Sequence, residues 1–390
     1  MSRRILVLNA GSSSLKFGVY ALGSERTPRL QLNGAVTRLP HQPHLRITDA
    51  SGAVLADEAW ASADGSVEAA LTRLLRLFAD SGEAPDAVGH RIVHGGLAFR
   101  GPARLDDAAL EQLRSLCPLA PLHQPFNLQA VAAARAAFPD AVQVGAFDTA
   151  FHADQPRLAR LYALPRALTE EGILAYGFHG LSYDYIARTL RERHGPSAGG
   201  RVIVAHLGSG VSLCALSEGK SRATTMGFSA LDGPPMGTRS GSLDPGVLLY
   251  LMEARGFSAA DLTDLLYRRS GLLGVSGESG DVQVLLDSER PEAREALDLF
   301  AYRVAEEIGR LAADLGGVDR IVFTAGVGEN APAVRAEVLR RCAWLGCDLD
   351  EAANAAGAGV VSRPGSGVVA EVIATDEQIV LARAAASLLD

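Results

Sequence analysis

The sequence predicts a two-domain α/β protein, and three observations support this fold class. The chain has 390 residues, 48% of them hydrophobic and 21% charged, which is enough for two domains with separate cores. A strand, a turn of small residues and a second strand occupy 5–17, and 202–213 repeats that plan. A helical pattern over 296–315 ends at Gly316 and leads into a buried strand at 318–323.

The remaining elements follow from the same patterns. Residues 87–94 read as a buried strand that runs into glycines, and Ala- and Leu-rich helices at 71–78 and 130–137 supply core residues. We expect a first domain at 1–150 and a second domain at 151–377. An amphipathic helix at 378–390 is expected to pack back on the first domain and complete it.

Composition excludes several classes of protein. The formal net charge of −8 and the lack of a Lys/Arg cluster disfavour a nucleic-acid surface. No segment reaches the ~20 apolar residues of a membrane span, and the apolar run after Arg4 is too short for a signal peptide. The cysteines lack metal-ligand spacing and read as free core thiols: Cys117, Cys214, Cys342 and Cys347. We therefore expect a soluble, cytoplasmic protein.

Two arginines stand out in unusual surroundings. Arg239 lies in a glycine-rich loop, 236–245, with no other charge between Asp232 and Asp244. Arg91 lies on the buried strand, where alternation places it on the same face as Val93. A guanidinium binds carboxylate or phosphate with two parallel hydrogen bonds, so the pair indicates a small anion with an apolar tail. The alternative is that both are ordinary ion-pairing arginines.

Three glycine loops have the composition of anion-binding sites. The turns after the strands at 5–9 and 202–207 are rich in Gly and Ser, and a third loop at 324–330 precedes a helix start near Pro332. Successive backbone N–H groups in such turns bind anions, and so do helix N-termini. Ordinary hairpins and strand-to-helix connections are the alternative for each loop.

Other familiar motifs are absent. Gly219-Lys220-Ser221 resembles the end of a phosphate-binding P-loop, but Cys214 stands where the first glycine is required. There is no Gly-x-Ser-x-Gly motif of a serine hydrolase, and the histidines are not spaced as zinc ligands.

The motifs together resemble those of the acetate kinases, the short-chain carboxylate kinases of the acetokinase group. The matching stretches run in family order through most of the chain: 8–16, 89–96, 120–123, 147–152, 176–180, 236–245 and 323–330. The resemblance implies the duplicated ribonuclease-H-like fold shared with actin, Hsp70 and sugar kinases. It also implies a homodimer that binds nucleotide in the cleft between its domains and closes on it.

The implied reaction is the reversible, ATP- and Mg²⁺-dependent phosphorylation of acetate to acetyl phosphate and ADP, a step toward acetyl-CoA, with Mn²⁺ as an alternative metal. The resemblance assigns catalytic roles to Arg91, His123, Asp148, His179 and Arg239. It assigns the carboxylate substrate to Arg91, Val93, Leu122 and Ala230, and the metal to Asn9 and Glu377. The expected nucleotide contacts are Ser12, Ser14, Lys16, His206, Leu207, Gly208, Ser209, Gly210, Asp281, Val282, Gln283, Gly326, Val327, Gly328, Glu329 and Asn330.

The chain departs from the family pattern at five of these or neighbouring positions. Ser209 replaces Asn, Gln283 replaces Arg, Tyr183 replaces His, Asp376 replaces Asn and Ala230 replaces Pro. Propionate kinase or mixed short-chain carboxylate kinase activity is therefore the first alternative, because the smaller Ala230 leaves more room for the acyl tail. A non-metabolic ATPase switch of the same superfold is a second alternative, although such a switch has no need of two arginines that bind a carboxylate.

We expect that replacing either Arg91 or Arg239 with alanine lowers turnover and leaves folding intact.

Overall fold

The computed structural model describes residues 3–11, 14–39, 42–59, 66–80, 82, 84–357 and 359–389. The chain groups into two compact units. Unit 1 comprises Met1–Ala153 and Asp376–Asp390, and unit 2 comprises Asp154–Thr375.

Unit 1 is built on a mixed sheet. Its strands are β1 (Arg3–Ala10), β2 (Leu15–Leu22), β3 (Pro28–Thr37), β4 (His44–Asp49), β5 (Val54–Ala59), β6 (Ala87–Ile92), β7 (Ala103–Arg104) and β8 (Val142–Phe147). In the described residues their order is β5-β4-β3-β2-β1-β6-β8-β7. The central strands β1, β6 and β8 are parallel, whereas β1 to β5 form an antiparallel meander.

Helices cover both faces of this sheet. They are α1 (Val67–Asp80), α2 (Asp107–Ser115), α3 (Gln124–Ala137) and α15 (Glu377–Ser387). A side chain at Gly89 would meet Leu381 of α15, whereas the neighbouring Val88 shares a core with Ala130 and Ala134 of α3. Successive strand residues face opposite sides, so α3 and α15 lie on opposite faces. Burial on both faces explains why residues 5–8 of β1 are all apolar rather than alternating.

Unit 2 repeats the arrangement. Its strands are β9 (Arg201–Leu207), β10 (Val211–Ser217), β11 (Lys220–Thr224), β12 (Arg320–Thr324), β13 (Gly359–Val360) and β14 (Val369–Val372). Their order in the described residues is β11-β10-β9-β12-β14-β13, with β9, β12 and β14 parallel. In unit 1, β1 pairs antiparallel with β2 and parallel with β6, and in unit 2, β9 pairs antiparallel with β10 and parallel with β12. This shared topology confirms the duplicated ribonuclease-H-like fold.

Helices and short turns complete unit 2. The helices are α4 (Arg157–Arg160), α5 (Arg166–Glu170), α6 (Gly180–His194), α7 (Pro245–Arg255), α8 (Ala259–Arg268), α9 (Gly271–Ser276), α10 (Val282–Leu286), α11 (Pro291–Leu315), α12 (Ala325–Asn330), α13 (Pro332–Arg341) and α14 (Glu351–Ala356). The helix expected before Gly316 is α11, and Gly316 ends it in the left-handed conformation. No helix in the described part of the chain is both long and apolar enough to cross a membrane.

Three local expectations are wrong. Strand β6 ends at Ile92, so strand alternation does not extend to Val93. Residues 325–330, expected to be a loop, form the short helix α12, because the Glu329 carboxylate accepts a hydrogen bond from the Ala325 N–H at 2.8 Å and closes the first turn. Cys117 is only half-buried, whereas the other three free cysteines are buried.

Candidate active site

Polar side chains gather at one edge of the unit 1 sheet. Asn9 lies near the end of β1, Arg91 lies near the end of β6, and Asp148 follows β8 directly. Because these three strands are parallel neighbours, their carboxyl ends meet at the same edge. Glu377 opens α15, whose N-terminus reaches the same edge.

Arg91 is the centre of this group. Its Nε donates to Asp148 Oδ1 and Oδ2 at 3.2 and 3.1 Å, and its Nη2 donates to Oδ2 at 2.7 Å. Its Nη1 donates to Asn9 Oδ1 at 3.3 Å, and Asn9 Nδ2 donates to Glu377 Oε2 at 3.2 Å. These bonds hold the guanidinium in one orientation.

The charges of the group are strongly coupled. Burial raises the pKa of Asp148, the Arg91 guanidinium opposes this shift, and the Glu377 carboxylate adds to it. Although desolvation disfavours the charged form of Arg91, Asp148 and Glu377 together raise its pKa above the ordinary value. Arg91 therefore stays cationic, with a side chain 21% exposed against 1% for Asp148.

Arg91 is ion-paired, yet its binding capacity is not used up. A guanidinium has five N–H groups. In the described part of the chain, its hydrogen bonds occupy Nε–H and one N–H on each of Nη1 and Nη2. One N–H on each terminal nitrogen therefore remains to donate to an anion such as a carboxylate or phosphate.

Helix α3 holds the segment that follows Arg91. Asn127 accepts a hydrogen bond from the Val93 N–H at 3.0 Å and donates to the Ala10 carbonyl at 3.2 Å. Gln124 bonds both backbone groups of His94. Val93 is buried, and the half-buried Leu122 and His123 directly precede α3. Sequence reasoning missed Gln124 and Asn127, although two amides three residues apart on an apolar helix were a usable signal.

The first glycine turn shows only part of the expected anion site. The Gly11 N–H donates to the Ser14 carbonyl at 2.9 Å, so it closes the turn. Ser12 lies outside the described residues. Ser14 is half-buried, and the exposed Lys16 on β2 pairs with Asn9 on β1.

In unit 2, His179 is held at the start of α6. It caps the helix in the left-handed conformation with φ of 56°, which is unusual for a residue other than glycine and marks a constrained position. Its Nδ1 lies 2.8 Å from Ser212 Oγ, and Ser212 Oγ lies 2.5 Å from Tyr183 Oη. The ring stacks on His206, with centroids 4.2 Å apart.

His206 is fixed by a similar set of hydroxyls. Its Nδ1 lies 2.8 Å from Ser182 Oγ, which donates to Thr375 Oγ1 at 3.0 Å. Ser182 and Ser212 were not predicted from the sequence. Serines are common in turns and caps, so only their burial beneath two stacked imidazoles marks them as positioning residues.

The side chains of His179 and Arg239 both lie next to Gly210. A Cβ on Gly210 would lie 3.0 Å from His179 Nε2 and 3.8 Å from Arg239 Nη1. Any larger residue would therefore displace the imidazole. Arg239 Nη1 donates to the Ala230 carbonyl at 3.0 Å, which brings Ala230 into the same group.

Hydrogen bonds from α9 hold the backbone of the Arg239 loop in place. Leu272 and Leu273 of α9 donate N–H groups to the carbonyls of Met236 and Gly237, each at 2.9 Å. Gly237 also packs against the backbone of Gly280, with no room for a Cβ at either position. The loop that carries Arg239 thus lies directly against the segment that precedes Asp281.

The expected nucleotide residues lie around these loops. The Gly208 N–H bonds the Gly210 carbonyl at 3.1 Å, so it closes its turn as Gly11 does, and Ser209 is exposed at the tip. A Cβ on Gly208 would meet Ala325 of α12 and His206 Nε2. The side chain of Leu207 is buried in the core, which leaves only its backbone for a ligand.

Some residues of helix α12 have open space around them, whereas others are packed or hydrogen-bonded within the protein. Gly326 has open space around its Cα, Val327 is half-buried and Gly328 is packed against β9 and β12. Glu329 accepts from the N–H groups of Ala325 and Thr375, and Asn330 Nδ2 donates to the Gly326 carbonyl at 2.9 Å. Glu329 and Asn330 therefore shape the helix.

The polar side chains at the start of α10 form hydrogen bonds mainly within that helix. Asp281 caps the helix by accepting the Gln283 N–H at 2.8 Å. Gln283 is exposed and donates to Asp287, whereas Val282 is buried. Their side-chain contacts thus support the helix.

A buried arginine beneath α12 was missed by sequence reasoning. Arg335 is 0% exposed and donates to the carbonyls of Gly328 and Glu329 and to both oxygens of Asn354. It holds the carbonyl end of α12 in place. Sequence alone shows an arginine on a helix, which is usually exposed.

Comparison with known proteins agrees with this geometry. The family model described as "Acetokinase family" matches residues 4–383. An acetate kinase of Rhodopseudomonas palustris (strain TIE-1) is 48% identical over 390 residues, covering 98% of each chain, and one of Methylocella silvestris is 45% identical, covering 100% of this chain and 99% of its own. The crystal structure of Porphyromonas gingivalis acetate kinase superposes with a TM-score of 0.86 at 35% identity over the full length of both chains. A propionate kinase from Francisella tularensis gives a TM-score of 0.89 at 31% identity over 98% of both chains. The chain therefore belongs to the acetokinase family.

Proposed function

We propose that this protein transfers the γ-phosphoryl group of ATP to acetate, reversibly, giving acetyl phosphate and ADP. The observation that carries the proposal is Arg91, a cation at the edge of the unit 1 sheet. It keeps one N–H on each terminal nitrogen for an anion, and the chain belongs to the acetokinase family. A carboxylate oxygen attacks the γ-phosphorus as the bond to the β-phosphate oxygen breaks. Such a transfer needs alignment and charge neutralisation more than covalent help.

Arg91 and Asp148 would work as one unit. A carboxylate nucleophile is already deprotonated at neutral pH, so it needs no general base. Asp148 instead orients Arg91, as its two-oxygen contact with Nε and Nη2 supports. Val93 and Leu122 would contact the methyl group, and His123 would help to position the phosphoryl group.

Arg239 and His179 would stabilise charge on the transferring group. Both side chains lie against Gly210, and both present nitrogen atoms there. Preorganised donors aimed at developing charge are a large source of rate enhancement. The neighbouring turn 208–210, α12 and the start of α10 would bind the nucleotide, through backbone groups more than through the occupied side chains of Asp281, Gln283, Glu329 and Asn330.

Mg²⁺ fits the unit 1 edge, with Mn²⁺ as an alternative. No three His, Cys, Asp or Glu side chains form a metal-binding group in the described ranges. Mg²⁺ usually takes only one or two carboxylates and completes its shell with water and substrate phosphates. Glu377 and Asn9, in contact at 3.2 Å, supply oxygen donors of that kind. When bound, the metal would neutralise charge on the phosphate oxygens.

The proposed activity is tested by trapping the acyl phosphate with hydroxylamine in the presence of ATP, Mg²⁺ and a carboxylate. We expect trapped product with acetate, less with propionate and little with butyrate. ATP hydrolysis without trapped product would contradict the proposal and favour an ATPase switch. Reactions without carboxylate provide the control for uncoupled hydrolysis.

Ala230 is expected to govern the choice between acetate and propionate. A methylene accommodated in an apolar pocket is worth ~1–3 kcal/mol, or about tenfold or more in specificity. Ala230→Pro keeps the carbonyl that accepts from Arg239, so it tests the wall without removing that contact. We expect the ratio of kcat/KM for propionate over acetate to fall in this variant. An unchanged ratio would show that Ala230 does not determine the preference between acetate and propionate.

A homodimer is the expected assembly, and α7 is the surface that would form it. This helix has no buried residue in the described structure, and it exposes Val247, Leu249, Tyr250 and Met252, with exposed fractions from 40 to 58%. A cluster of exposed apolar side chains of this kind is typical of a protein interface. We propose that a second copy covers it.

We expect light scattering to report a dimer for the wild type and a monomer for Leu249→Asp combined with Tyr250→Asp, because each aspartate would place a charge in the interface. Leu158→Asp is the matched control, since Leu158 is 85% exposed on another part of unit 2. Dissociation in the control, or a persistent dimer in the α7 variant, contradicts the assignment of α7.

We further propose that the reaction takes place in the cytoplasm, where acetyl phosphate is available for acetyl-CoA synthesis.

A further inference from the structure

A line of hydrogen bonds connects a buried tyrosine to the imidazole of His179. Tyr183 Oη lies 2.5 Å from Ser212 Oγ, and Ser212 Oγ lies 2.8 Å from His179 Nδ1. Tyr183 and Ser212 are both 0% exposed. Tyr183 stands where the family resemblance leads us to expect a histidine, so this line belongs to the chain's own sequence.

The protons along this line can run in either of two directions, and the acidity of the two hydroxyl groups favours one of them. The phenol of Tyr183 is more acidic than the aliphatic hydroxyl of Ser212, so it is the stronger donor of the two, and burial, which raises the pKa of Tyr183 well above its ordinary value, keeps it protonated. The Ser212 hydroxyl has one proton and two acceptor lone pairs. If Tyr183 donates to Ser212, the Ser212 proton is directed at His179 Nδ1, which must then be the acceptor.

An acceptor at Nδ1 places the proton of the neutral ring on Nε2, because a neutral imidazole carries one N–H. His179 Nε2 faces Gly210, where Arg239 Nη1 also lies. In this tautomer the ring presents an N–H beside the guanidinium. In the other tautomer it would present a lone pair, which repels phosphoryl oxygens.

We propose that Tyr183 is a positioning residue that acts through Ser212 to hold His179 in the Nε2–H tautomer. The neutral ring then donates a hydrogen bond to the phosphoryl group during transfer. The catalytic part of this inference rests on the proposed function, whereas the tautomer itself is a property of the protein alone.

The tautomer is measured by ¹⁵N NMR of histidine-labelled protein, with the His179 signals assigned by their loss in His179→Gln. We expect the Nε2–H form to predominate in the wild type. In Tyr183→Phe, Ser212 can rotate and accept a proton from Nδ1, so the tautomer ratio is expected to shift toward Nδ1–H by about tenfold or more. A wild-type ring in the Nδ1–H form, or an unchanged ratio in Tyr183→Phe, overturns the inference.

Kinetics provide the second readout. We expect Tyr183→Phe to lower kcat for acyl phosphate formation about tenfold while KM for acetate and for ATP stays within about twofold, because the change acts on the transition state. Tyr185→Phe, the same chemical change on the same helix, is the matched control and should keep wild-type kcat. A shifted tautomer with unchanged kcat overturns the catalytic role.

Ser212→Ala keeps the test decisive if Tyr183→Phe does not fold, since it breaks the same line at the next atom and should shift the ratio in the same direction. A wild-type protein that makes no acyl phosphate would refute the proposed function and the catalytic role together, whereas the NMR spectrum would still decide the tautomer.

Discussion

Replacing Arg239 with alanine is expected to lower kcat about 10³-fold, which corresponds to about 4 kcal/mol of transition-state stabilisation. The guanidinium lies beside Gly210 and His179 Nε2, where it can meet charge that develops on the transferring group. We expect the stability cost to stay near ~1 kcal/mol, the typical net contribution of a hydrogen bond such as the one from Arg239 Nη1 to the Ala230 carbonyl. Turnover is measured by hydroxylamine trapping, and stability by thermal denaturation.

Arg269→Ala is the matched control for this experiment. Arg269 ends the neighbouring helix α8, is exposed, and pairs with Asp264 on the surface. Surface pairs of this kind contribute about 0–1 kcal/mol, so we expect near wild-type turnover and stability. If Arg239→Ala loses less than about tenfold in kcat, or if it unfolds the protein, the catalytic assignment of Arg239 fails.

Loss of Arg91 is expected to reduce both activity and stability. The sequence led us to expect intact folding, but the structure shows that Asp148 is 1% exposed and depends on Arg91 for charge compensation. Breaking a buried pair by removing one partner costs about 3–5 kcal/mol. Arg91→Met should therefore lower the free energy of unfolding by roughly that amount and kcat by about 10³-fold.

A double variant separates the two effects. Arg91→Met combined with Asp148→Asn removes both charges, so most of the lost stability should return, while kcat should stay about 10³-fold below wild type. Urea denaturation and hydroxylamine trapping measure the two quantities on the same samples. Recovery of activity together with stability would show that Arg91 acts only as a structural partner of Asp148.

Local patterns in the sequence predict the elements that carry the site. Apolar runs ending in small residues identify β1 and β9, and the glycine at the end of α11 marks the entry to β12. The repeated strand-turn-strand plan anticipates that both units share one topology. These signals are readable because hydrophobic periodicity and turn chemistry are properties of neighbouring residues.

Partners between distant residues could not be read in this way. Arg91 and Asp148 are 57 residues apart, and Asn9 and Glu377 are 368 apart. Asn9, Arg91 and Asp148 meet because β1, β6 and β8 are parallel neighbours whose ends share an edge, and Glu377 joins them because α15 begins at that edge. Sequence spacing contains no record of strand order, so the choice between a ligand-binding and an ion-paired Arg91 was left open. The structure shows the ion pair and also the N–H groups that remain for a ligand.

By itself, the sequence determined the fold class, the duplication, the resemblance to the acetokinase family and the segments in which the arginines, histidines and glycine turns lie. Tertiary structure alone decided that 325–330 is helical, that Arg335 is buried beneath it, and that Tyr183 reaches His179 through Ser212. The physical reason is that desolvation and hydrogen-bond geometry depend on which elements pack together. A serine, a tyrosine or an arginine acquires its role only from the partner that packing brings to it.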